Sequence, residues 1–182
     1  MIPTTLDEKL RDQPTDESLL EEALAEEQRK VSSLRLTAKD DPSELNTTRL
    51  GRQRQRQSEY LRLAGRLDEA REAIEEAISI WEKYGRHRAF FLARLKRAVL
   101  TANTDALQDL LDEMDEETAV YEDFLHEAMG RVHMLRGEVE EAHLHLLKAL
   151  EIRRVRGNDR HIAQTKEMLA IVENARSPTS DF

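Results

Sequence analysis

Cysteine is absent from the 182 residues. Its absence removes disulfides, thiol nucleophiles and cysteine-ligated zinc together, and it fits a reducing cytoplasm. Aromatic side chains number only eight: Trp81, three tyrosines and four phenylalanines. β-Branched residues are sparse as well, so strand content is expected to be near zero. No apolar run approaches the roughly 20 residues that cross a bilayer, and the acidic N-terminus lacks the basic and apolar regions of a signal peptide, so neither membrane insertion nor export by that route is expected. A glycine-rich phosphate loop, a nucleophile elbow and a paired Ser, His and Asp pattern are all missing. The chain is therefore not expected to be an enzyme, and it implies no cofactor.

Charge is what the sequence has in quantity. Charged residues make up 36% and apolar residues 39%, rich in Ala, Leu, Glu and Arg, a mixture suited to helices with one wet face. The net charge of −9 disfavours wholesale binding to nucleic acid or anionic lipid. The distribution is uneven. Residues 1–47 carry twelve acidic and six basic side chains, whereas residues 48–66 carry six arginines and one glutamate.

Helix starts and stops divide the chain. Pro3 and the polar residues around it predict a loose N-terminus, with a short helix starting at Thr5 because Thr5 and Glu8 stand in capping-box relation. The stripe Leu20, Leu24, Val31, Leu34, Ala38 predicts a helix over about 16–38. Asp41, Pro42 and Glu44 mark the next start, and Gly65 its end. Further helices are expected over about 67–84, 87–102, 104–117, 118–136, 139–156 and 159–174. The last covers the open end of the array, and residues 176–182 form a disordered tail.

Two of these segments echo each other 72 residues apart. Gly65 to Gly85 reads GRLDEAREAIEEAISIWEKYG, and Gly137 to Gly157 reads GEVEEAHLHLLKALEIRRVRG. Midway lies Ala106, which gives ladders with a step of 36: Ala70, Ala106, Ala142; Ile74, Leu110, Leu146; Ile78, Met114, Leu150. Periodicity of this length marks a repeat array whose units bury their faces against neighbours.

The residues Gly130, Gly137, Ala142, Leu146 and Ala149 resemble a tetratricopeptide repeat, and Gly65, Ala70 and Ala77 with Ser58 repeat the pattern. The middle unit keeps Ala106 and Leu110 but has Arg94, Thr101 and Glu113 at the other signature positions. The resemblance implies an all-α, right-handed solenoid over residues 43–175, preceded by an acidic arm and helix over 1–42. It also implies a protein-binding scaffold or adaptor that takes a peptide on the surface lined by the first helix of each pair. Those positions are Arg52, Gln55, Glu59 and Arg62, then Arg88, Phe91 and Leu95, then Phe124, Glu127 and Arg131. Arginine beside phenylalanine suits an acidic segment with apolar anchors, because a guanidinium grips a carboxylate in bidentate fashion. Phe90 and Phe91 equally fit a core role. The lysine and asparagine with which some family members capture a C-terminal carboxylate are replaced by Gln55, Glu59 and Arg88.

Other readings compete. Homo-oligomeric assembly through the first helix pair is the main one, with the acidic arm folded over the basic helix; a secretion-type chaperone is a variant of the adaptor reading. The run Arg52 to Gln57, RQRQRQ, invites nucleic acid, but its segment lacks stacking aromatics and the chain is acidic. His126 and His133 are seven apart and His143 and His145 two apart, so neither pair has the i, i+4 spacing of a helical metal site, and no metal is expected.

Overall fold

Gly137 and Gly157 adopt left-handed backbones, φ 79° and 70°, which residues with a side chain rarely adopt, and each ends a helix. In each case the glycine N–H donates back to a carbonyl of the last turn. The computed structural model describes residues 2–176. Among the described residues 79% are helical, in eight α-helices and one 3-10 turn: α1 Glu17–Asp40, α2 Glu44–Leu63, α3 Leu67–Lys83, α4 His87–Leu100, α5 Thr104–Asp112, α6 Glu122–Arg136, α7 Val139–Arg156 and α8 Asp159–Arg176. The chain is all-helical in that sense, and no helix among the described residues is long and apolar enough to cross a membrane. The tail expected over 176–182 lies, beyond Arg176, outside the described residues.

The N-terminus departs from expectation. Two three-residue strands, β1 Thr4–Leu6 and β2 Asp12–Pro14, pair as a hairpin where a short helix and no strand were predicted. The cause is Asp7, whose carboxylate accepts the backbone N–H groups of Lys9 and Arg11, each at 2.9 Å. That arrangement satisfies the donors locally and turns the chain back before a helical turn can propagate.

A second departure lies between α5 and α6. The helix expected to reach Glu117 stops at Asp112, and the next begins at Glu122 after a 3-10 turn, Ala119–Tyr121. Asp115 and Thr118 bond reciprocally: Thr118 N–H donates to Asp115 Oδ1 at 2.9 Å, and Asp115 N–H to Thr118 Oγ1 at 2.9 Å. This is capping-box chemistry, and it starts a new element instead of continuing the old one. At the other predicted start Ser43, not Asp41, caps α2 through the Asn46 N–H; Asp41 closes α1.

The chain divides into two compact units. The first holds α1 to α4 (Gln13–Leu100, with residues up to Thr5), and the second holds Leu6–Asp12 with α5 to α8. The helices expected to make the middle pair thus belong to different units, α4 to the first and α5 to the second.

In the first unit α3 is central, packed on α2 and on α4. Ala70, Ala73, Ile74 and Ala77 are fully buried there, and Leu20, Leu24 and Val31 of α1 join the same apolar clusters. In the second unit α7 is packed between α6 and α8. Ala142, Leu146 and Ala149 are fully buried, and the first two share a core with Met168 and Val172 of α8. The ladder Ile74, Leu110, Leu146 is buried throughout, whereas in the ladder Ile78, Met114, Leu150 the middle member, Met114, is only half-buried. The alanine ladder is not uniform: Ala106 is only half-buried, and its neighbour Leu107 fills the inward position.

Candidate functional site

The alternating run in α2 has two faces. Gln53 donates to Glu27 of α1, Gln57 Nε2 donates to Gln28 Oε1 of α1 at 2.7 Å, and Arg54 donates to Gln57. Arg54 Nε lies 2.6 Å from Glu76 of α3, which Arg35 of α1 also reaches at 2.6 Å. Glu27 is 1% exposed and lies 3.5 Å from both Arg56 and Lys30. A polar seam therefore joins α1 to α2 and α3, and the acidic N-terminal helix does cover one side of the basic one. Arg54 and Arg56 are committed to carboxylates. Of the three arginines in the run, Arg52 alone has none among the described residues.

The face of α2 toward α4 carries the expected partner-binding positions. Glu44 at the start of α2 pairs with Arg86 just before α4. Fifteen residues on, about 22 Å along the helix, Glu59 pairs with Lys96 of α4 at 2.7 Å and with Arg62 at 3.3 Å. Burial opposes the charged form of Glu59, yet Lys96 and Arg62 together hold its carboxyl below the ordinary range. Arg62 is thus satisfied within α2. Gln55 accepts the Trp81 indole N–H at 3.1 Å. Phe91 and Leu95 are 5% and 8% exposed, so they are core side chains and offer no anchor surface. Arg52 and Arg88 remain: both are exposed, and neither has a carboxylate partner among the described residues.

The second unit holds the other three positions, and there they are held within the fold. Phe124 is 37% exposed, with its ring 5.1 Å from that of His161 and the Arg153 guanidinium 5.3 Å from its centroid. Glu127 accepts from Arg131 at 3.0 Å and pairs with Arg153 at 2.7 Å. Arg153 is 1% exposed and donates from Nε to Asp123 Oδ2 at 2.9 Å and from Nη1 to Thr165 Oγ1 at 2.6 Å. Arg156 also binds Asp123. Arg131 turns to the N-terminal segment: its Nη1 donates to the Leu10 carbonyl at 2.8 Å and lies 3.3 Å from the Asp12 carboxylate.

One cluster had no signal in the sequence. His126 and His133 of α6 flank His145 of α7, with ring centroids 5.3 and 5.2 Å from it, and Nδ1 of His126 lies 3.0 Å from Nδ1 of His145. Burial, then the neighbouring His126 and His133, pushes His145 down to about 4. Spacing within one helix could not reveal a pairing across two. The rings stack instead of converging on a point, and no group of three His, Asp or Glu side chains among the described residues is placed to hold a metal ion.

No family model, no curated protein and no solved structure matches this chain.

Proposed function

We propose that the chain is a non-enzymatic protein-binding scaffold of the cytoplasm, a tetratricopeptide-like right-handed solenoid that takes an acidic peptide segment on the α2 and α4 face. The observation that carries this reading is the pair Arg52 and Arg88, exposed and without carboxylate partners among the described residues, beside neighbours whose charges are matched by Glu44 and Glu59. Unpaired guanidinium groups on adjacent helices leave local positive potential in a chain of net charge −9. A guanidinium matches a carboxylate geometrically as well as by charge.

The test is fluorescence anisotropy with a labelled peptide of alternating glutamate and leucine. Binding weakens as salt rises from about 0.05 M to about 0.5 M, because screening shortens the reach of exposed charges. The double variant Arg52→Glu, Arg88→Glu weakens it by at least about tenfold. Equal affinity in the folded double variant sinks this reading.

A second reading, self-association as a structural component, is favoured by α7, which exposes Leu144, Leu147 and Val155 at 65%, 42% and 87%. Light scattering that finds a dimer in wild type and a monomer in Leu144→Glu supports it.

A further inference from the structure

Residues 6–12, LDEKLRD, belong to the second unit although in sequence they lie between two stretches of the first, residues 1–5 and 13–100. Their turn is closed by Asp7, which accepts from Lys9 and Arg11, while Leu10 N–H donates to the Asp7 carbonyl at 3.0 Å. The turn places Leu10 at φ 59° and drives its side chain to 1% exposure, in the cluster of Met134, Leu146, Met168, Leu169 and Val172. Leu6 packs, half-buried, against the same cluster. Arg131 reads the segment twice, at the Leu10 carbonyl and at the Asp12 carboxylate.

This is the way a binding surface holds a ligand: one apolar anchor in a pocket, and one guanidinium that fixes backbone and charge. The rest of the segment is polar, and Glu8, Lys9 and Arg11 are exposed. A leucine with positive φ is strained, and such a conformation persists only where its surroundings over-determine it. A ligand that delivers leucine and carboxylate without that backbone is free of the penalty.

We propose that Arg131 and the adjoining apolar cluster of α6 to α8 form a second peptide-docking site, occupied in cis by residues 6–12. The segment that displaces them comes from another protein and has the same chemistry, acidic, with a leucine two residues before a carboxylate. The inference shares with the proposed function the idea of a peptide-binding array. It uses other residues in the other unit, so each result can fail while the other stands.

The experiment uses the full chain and a fluorescein-labelled peptide copying residues 4–14. Wild type binds it weakly, because its own segment competes at high effective concentration. Asp12→Lys, which leaves the Leu10 anchor in place, binds it at least about tenfold more tightly, and Leu10→Ala does the same. Adding Arg131→Ala to Asp12→Lys removes the gain. Circular dichroism establishes that each variant is folded, and Asp12→Lys serves alone if Leu10→Ala is not. A folded Asp12→Lys chain that binds the peptide no better than wild type overturns the proposal. So does a wild-type dimer that Asp12→Lys dissociates, since the segment would then be exchanged between copies.

Discussion

Gly130 of α6 meets Leu146 of α7 so closely that a Cβ on Gly130 would stand 2.7 Å from Leu146 Cγ and 3.2 Å from the Ala142 carbonyl oxygen. Leu146 and Ala142 are both fully buried, so neither can yield easily. Gly130→Leu and Ala142→Leu are each expected to cost roughly 1 to 3 kcal/mol by overpacking, read as a lower urea midpoint. Gly51→Ala is the contrast. It adds only one methyl, 2.9 Å from Ile80 Cγ2 and 3.3 Å from Trp81 Cζ2, so less volume is forced in and its midpoint falls less. A Gly130→Leu midpoint equal to wild type would mean the helices do not cross this tightly.

Asp123 is 3% exposed and serves the fully buried Arg153. Removing it takes away one of the two carboxylates on the buried Arg153 and leaves Glu127, so Asp123→Ala is expected to cost about 1 to 3 kcal/mol. The paired replacement Asp123→Leu, Arg153→Met removes both charges and is expected to lose far less. Chemical denaturation of the three chains decides. A single variant no worse than the double one would show that the pair is not coupled.

The histidine stack makes a pH signature. In the unfolded chain His145 takes a proton near its ordinary 6.5, whereas in the folded protein it does so only near 4. His126 is also pushed down, by burial first; Glu122 opposes this and Lys148 adds to it. Between those two values the unfolded state binds more protons, so stability is full above pH 6.5 and declines as pH falls toward 4. For a half-buried ring the loss is on the order of 1 to 3 kcal/mol. In His145→Gln the decline between about pH 7 and about pH 5 should shrink. An unaltered slope in that variant would remove His145 as its source.

Asp115 and Thr118 stop one helix and start the next. Asp115→Ala removes the acceptor for the Thr118 N–H, and about 1 kcal/mol is the expected cost. Thermal unfolding measures it. A larger effect than that of a surface alanine substitution in α1 is required.

The helices were legible where local chemistry sets them. Gly65, Gly85, Gly137 and Gly157 all have positive φ, and each falls directly after a helix that the sequence predicts, because few other residues tolerate that backbone. α7 runs from Val139 to Arg156, as its apolar spacing and flanking glycines imply. What escaped is what depends on residues distant in the chain. Nothing near Leu10 signals that it is buried among Met134 and Val172, and nothing in RQRQRQ tells which side chains meet Glu27 or Glu76. For the site positions, residue type and helix face were readable, but not which charges would already be matched. Glu59, Arg62, Glu127 and Arg131 are engaged within the fold, and that leaves Arg52 and Arg88.

The seam between α1 and α2 holds by directional contacts more than by apolar area: Leu20, Leu24 and Val31 are the buried apolar side chains of a 24-residue helix, and Glu27 is buried beside them. Hydrogen-bonded amides and guanidinium groups adhere weakly in water but tolerate little sliding, because a slip of one residue separates every donor from its acceptor. The first helix is therefore locked in alignment more firmly than it is glued in place. In native-state deuterium labelling its amides should become labelled ahead of those of α3, releasing as one block while the rest of the first unit stays closed.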